Sequence, residues 1–166
     1  MADASLERAG GAMRRLALAT IREAIDAVRQ DLLAGAAAAE LTGRLPGLGI
    51  EARLVDSGAA DVVSSLAGGE TYLFRVSTSS DLATLTCHLA DRLQDFVVEN
   101  LRRAAPRCPS HPHPLEPDVV AERAVWRCPA VPQWTCPIGE YHAYLDTHQP
   151  DCDRQRDPAA PRWHRR

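Results

Sequence analysis

The sequence predicts an α+β chain in which two long amphipathic helices pack on a small sheet, followed by a compact Pro- and Cys-rich module and a disordered tail. Three observations lead there. Apolar residues recur at helical spacing over residues 5–40 and 80–103, the stretch between them alternates instead, and the composition changes at Pro106. A length of 166 residues suits one domain, or one small domain with an appendage. The expected division is 1–104 for the α+β domain, 105–147 for the module and 148–166 for the tail.

The first helix rests on Met13, Leu16, Ala17, Thr20, Ile21, Ala24, Ile25, Val28, Leu32 and Leu33, which follow spacings of three and four. Arg14, Arg15, Arg22, Glu23, Asp26, Arg29 and Asp31 fall between them and are expected off the apolar face. Ser5 can cap the start, although Gly10-Gly11 weakens the first turns. The tract Gly35-Ala36-Ala37-Ala38-Ala39 either continues the helix or lets it fray, and Pro46-Gly47-Leu48-Gly49 ends the region as a turn.

The period then changes. Ile50 to Val55 alternates as a half-buried strand does, Asp56-Ser57-Gly58 turns the chain, and Asp61 to Leu66 fits either a short helix or a second strand. Thr71-Tyr72-Leu73-Phe74-Arg75-Val76 is the best strand. The second helix, about 80–103, gathers Leu82, Leu85, Leu89, Leu93, Phe96, Val97 and Leu101 on one face, with Ser80 and Asp81 at its start. The core expected from this pattern contains Leu54, Leu73, Val76, Leu85, Leu89 and Phe96.

Charge and composition exclude several functions. All 19 basic residues are arginines, so no Schiff-base lysine and no phosphate-loop lysine exists. The formal net charge is −3, and only the last 16 residues are net basic. Nucleic-acid binding is thereby disfavoured, because it usually shows a basic stripe on the folded part. No apolar run is long enough to span a bilayer and no secretory leader opens the sequence, which points to the cytoplasm.

The module beginning at Pro106 carries the chemistry. Residues 106–138 hold most of the prolines, three of the five cysteines and two of the three tryptophans. Cys108-Pro109-Ser110-His111 is a Cys-x-x-His knuckle that places two ligands on one tetrahedral ion. Cys128 and Cys136, each followed by proline, are the expected second pair, although their gap exceeds the usual two to four residues. The expected zinc ligands are therefore Cys108, His111, Cys128 and Cys136. His113 is an alternative to His111, because Pro112 is expected to direct the two imidazoles to different sides. Few apolar residues are available here, and a structural metal offsets that shortage.

Two other readings of these residues stay open: a metal-free packed loop, and a disulfide from Cys108 to Cys128 or Cys136, which a reducing compartment disfavours. A three-ligand site of Cys108, His111 and Cys128 would suit catalysis, but no His-x-Glu or His-Glu-x-x-His stands nearby. Cys87-His88 sits a quarter-turn apart on a helix and makes no nucleophile–base pair. His142, His148 and Cys152 are candidates for a second metal cluster, but in or near a tail without apolar anchors they are expected to be solvated.

The knuckle and the later Trp134-Thr135-Cys136-Pro137 together resemble zinc-ribbon-like modules, over residues 108–138 only. The resemblance implies a structural zinc ion and names no activity. The expected role is non-enzymatic: protein interaction or assembly, with another protein or a second copy docking on the helix faces. The alternative is a nucleic-acid- or transcription-associated zinc-ribbon factor, and a small metal-dependent hydrolase comes third.

Overall fold

A computed structural model of the chain describes residues 3–37, 47–56, 58–102 and 104–147. The tail and its Cys152 and His148 lie outside the described residues. The first helix, α1, runs Asp3–Ala37. Strands β1 (Gly49–Leu54), β2 (Ala59–Ser65) and β3 (Thr71–Ser77) follow as an antiparallel meander, so the ambiguous stretch after Asp61 is strand. Helix α2 runs Leu82–Leu101, and β4 (Glu116–Val120), β5 (Arg123–Cys128) and β6 (Val131–Pro137) form a second antiparallel meander. A short helix, α3, spans Tyr141–Thr147. The fold is α+β, with two small three-stranded sheets.

Local chemistry sets the ends of α2. The Asp81 carboxylate accepts a hydrogen bond from the Thr84 backbone N–H at 2.9 Å and from its hydroxyl at 2.7 Å. These bonds hold the Asp81 carboxyl below its ordinary range. At the other end Arg102 adopts the left-handed conformation and its N–H returns to the Val98 carbonyl.

The core is continuous. Ile21, Ala24, Val28 and Leu32 of α1 meet Leu85, Leu89, Leu93, Phe96 and Val97 of α2. Leu115, Trp126 and Tyr141 of the later segment belong to the same buried cluster. Close approach at the end of α1 requires Gly35, where an added Cβ would lie 2.8 Å from the Pro106 Cα. Gly35 thus continues the helix and lets it touch the start of the knuckle.

Three expectations are corrected. Leu73 is 62% exposed, because the pleat puts Tyr72, Phe74 and Val76 inward and turns Thr71, Leu73 and Arg75 out. Its cross-strand partner Val63 is exposed with it. Met13 and Leu16 are exposed, and among the described side chains of α1 the buried stripe begins only at Ile21. Asp31, expected off the apolar face, is fully buried. Val76, Leu85, Leu89 and Phe96 are buried as the pattern predicts, and Leu54 is half-buried.

Candidate metal centre

The Cys-x-x-His segment folds back on itself. The Cys108 N–H donates to the His113 carbonyl at 3.0 Å, and the Leu115 N–H donates to the Pro106 carbonyl at 3.0 Å. Arg107 and Pro114 form an isolated antiparallel bridge at the neck. The prolines in between have no N–H to satisfy and a fixed φ, which limits the entropy lost on closing the loop. From below, the buried Gln94 amide of α2 donates to the Ala105 and Leu115 carbonyls at 3.2 and 2.7 Å. The Tyr141 hydroxyl donates to the Arg107 carbonyl. Both neck strands are therefore tied to helices.

This loop and the end of β5 bring together Cys108, His111, His113 and Cys128, whose candidate ligand atoms all lie within 4.8 Å of one another. The two sulfurs are 3.6 Å apart. His111 Nδ1 lies 3.3 Å from Cys108 Sγ and 3.4 Å from Cys128 Sγ, and His113 Nε2 lies 3.9 Å from Cys128 Sγ. With zinc bonds of about 2.3 Å to sulfur and about 2.0 Å to nitrogen, a tetrahedron has sulfur–sulfur edges near ~3.8 Å and sulfur–nitrogen edges near ~3.5 Å. The observed separations scatter around those edges.

The two imidazoles are not directed apart. Their rings stack with centroids 5.1 Å apart and planes 12° from parallel. The chain turns between Cys108 and His113 and bends through residues 111–113, and that curvature brings both rings to one side of the loop. His113 Nδ1 sits 2.7 Å from the Pro114 carbonyl, an acceptor only. That contact places the proton on Nδ1 and leaves the Nε2 lone pair facing the sulfurs. His113 thus joins His111 at the cluster rather than replacing it.

Cys136 is not brought to the cluster. In the β5–β6 hairpin it pairs with Trp126, whereas Cys128 pairs with Val131 after a register shift. Two residues of strand separate the cysteine positions on β5 and β6, roughly 7 Å at the usual rise. The Cys136 side chain is fully buried, with Sγ on the Pro137 carbonyl at 3.6 Å. Burial first, then Asp31 and Glu140, pushes its thiol up to about 12. The Cys108 thiol is also raised, chiefly by burial and further by Cys128. A divalent cation at the cluster reverses that balance, since it favours the thiolates.

Beside Cys136 lies the group that sequence reasoning placed wrongly. The Asp31 carboxylate accepts from Trp126 Nε1 at 2.8 Å, from the Tyr141 N–H at 3.0 Å and from the Gly139 N–H. Burial raises the Asp31 carboxyl above its ordinary value and outweighs these three donors, which act to lower it. Asp31 fastens α1 to β5 and to the start of α3. A signal was present: Asp31 stands three residues after Val28 and four before Gly35, on the stripe itself. Gln94 likewise stands four after Ala90 and three before Val97.

Of the remaining candidates, Cys87 is half-buried on α2, and His88 and His142 are exposed. The described cysteines, Cys87, Cys108, Cys128 and Cys136, are all free. No helix among the described residues is long and apolar enough to cross a membrane. No family model, curated protein or solved structure matches the chain.

Proposed function

We propose that this chain is a non-enzymatic interaction or assembly protein whose later segment is organised by one structural zinc ion on Cys108, His111, His113 and Cys128. The observation that carries the proposal is the convergence of two sulfurs and two imidazole nitrogens at separations close to the edges of a zinc tetrahedron. Thiolate and imidazole ligands suit zinc, and four of them leave no position for a reactive water. The cluster contains no carboxylate to act as a general base. These features favour a structural ion over a hydrolytic one.

The interaction role draws on exposed apolar side chains away from the metal, Met13 and Leu16 on α1 and the Val63–Leu73 pair on the first sheet. The test is metal analysis of the purified full chain. One zinc per chain is expected, lost in Cys128→Ser and retained in Cys136→Ser. A chain that binds no stoichiometric zinc overturns the metal reading. Zinc carrying an exchangeable water, with turnover of an ester or phosphoester, would replace the non-enzymatic role with a hydrolytic one.

A further inference from the structure

We infer that Cys108 and Cys128 form a peroxide-sensitive pair whose closure to a disulfide expels the metal, an inference that rests on the zinc reading above. Their sulfurs stand 3.6 Å apart, and a disulfide needs about 2.05 Å. Cys108 is on the knuckle loop and Cys128 ends β5, so the sulfurs approach from two segments rather than along one rigid strand. Both cysteines line a cavity of about 320 Å³, together with His111, Val131 and Trp134. Ser110 and Gln133, both exposed, complete its lining, and the space exceeds what a small hydroperoxide requires.

The described cysteines differ in what they offer an oxidant. Cys136 is sealed in the core with its thiol pushed up to about 12, so the reactive thiolate is scarce there. Cys87 sits on α2 with its thiol raised by burial. At the cluster the ion itself holds both sulfurs as thiolates, the form that a peroxide attacks.

The chemistry balances with hydrogen peroxide as the oxidant. One thiolate attacks a peroxide oxygen; the S–O bond forms, the O–O bond breaks, and hydroxide leaves. The second thiolate attacks the resulting sulfenic sulfur; the S–S bond forms, the S–O bond breaks, and a second hydroxide leaves. The two sulfurs lose two electrons and the peroxide gains them. Zinc stays divalent throughout. It departs because the disulfide no longer supplies anionic donors and two imidazoles alone hold it poorly.

The experiment uses the full chain, as wild type and as the double variant Cys87→Ser/Cys152→Ser. Zinc content is measured first. A chain without stoichiometric zinc fails the metal reading, and this inference falls with it. On zinc-loaded protein, a few equivalents of hydrogen peroxide should release one zinc per chain, read by a chromogenic chelator. Thiol titration of the double variant should fall from three to one. Peptide mapping should find Cys108 joined to Cys128, and a dithiol reductant with added zinc should restore the starting state. Retention of zinc while other thiols oxidise overturns the inference but leaves the metal reading intact. So does zinc release with the two cysteines over-oxidised, or with either joined to another cysteine.

Discussion

The two sheets have the same topology and nearly the same size, yet different forces hold them. The sheet β1–β2–β3 is covered by apolar burial: Val62 and Val76 are buried, and Tyr72 stacks on Phe74 at 5.4 Å and on Phe96 of α2 at 6.0 Å. The sheet β4–β5–β6 buries Val125, Trp126 and two cysteines, and it is fixed to the helices by polar anchors. Asp31 holds Trp126 and the α3 entry, Gln94 holds the loop before β4, and the Cys/His cluster joins that loop to the end of β5. The difference shows how a segment short of apolar side chains stays ordered. Directional bonds offset the area it lacks, and the metal proposed above would add a cross-link.

Removing the metal should separate the two sheets most clearly. On the proposal above, chelation withdraws a folding contribution on the order of 10 kcal/mol from the later segment. Proteolysis should then open residues 105–147, whereas the helical circular dichroism of α1 and α2 should persist. Equal loss in both regions would break the contrast.

Asp31→Ala is the next strongest test. It leaves the Trp126 indole and two backbone N–H groups without their acceptor, each costing about 1–3 kcal/mol if not rehydrated, for a total of about 4 kcal/mol. Denaturant unfolding followed by Trp fluorescence reads this. The pH dependence has a definite sign. Because burial raises the Asp31 carboxyl, the folded chain binds a proton that the unfolded chain has released. That contribution is complete below the ordinary value of 3.8 and is lost as pH rises through the folded value. The stability of Asp31→Asn relative to wild type should therefore increase with pH from about 3.8 upward.

Leu89→Ala should cost about 3 kcal/mol, because the side chain is fully buried between the helices and leaves a cavity on truncation. Calorimetry should show this without loss of zinc. The smallest effect belongs to the outer face of the first sheet. Leu73→Ser should change stability by no more than about 0.5 kcal/mol, since the side chain is largely exposed. A larger loss would mean that this face is covered in solution.

Much of the architecture is determined by local pattern. The stripe of α2 is legible because 3.6-residue periodicity is a property of neighbouring residues, and β3 is legible because alternation is too. Cys108 and His111 are legible as partners because three residues of separation bring both side chains to one turn. The rest depends on segments far apart in the chain. The register of β5 on β6 sends Cys136 to Trp126 and leaves Cys128 at the cluster. The path of the Pro-rich loop stacks His113 on His111 and so supplies the fourth candidate ligand. Asp31 and Trp126, 95 residues apart, are joined by a hydrogen bond that neither local sequence reveals. Sequence by itself determined the two long helices and the clearest strands, because their periodicity is local; tertiary packing decided that the stretch after Asp61 is strand and which polar groups meet, because burial makes an unpartnered polar group costly wherever its partner lies in the chain.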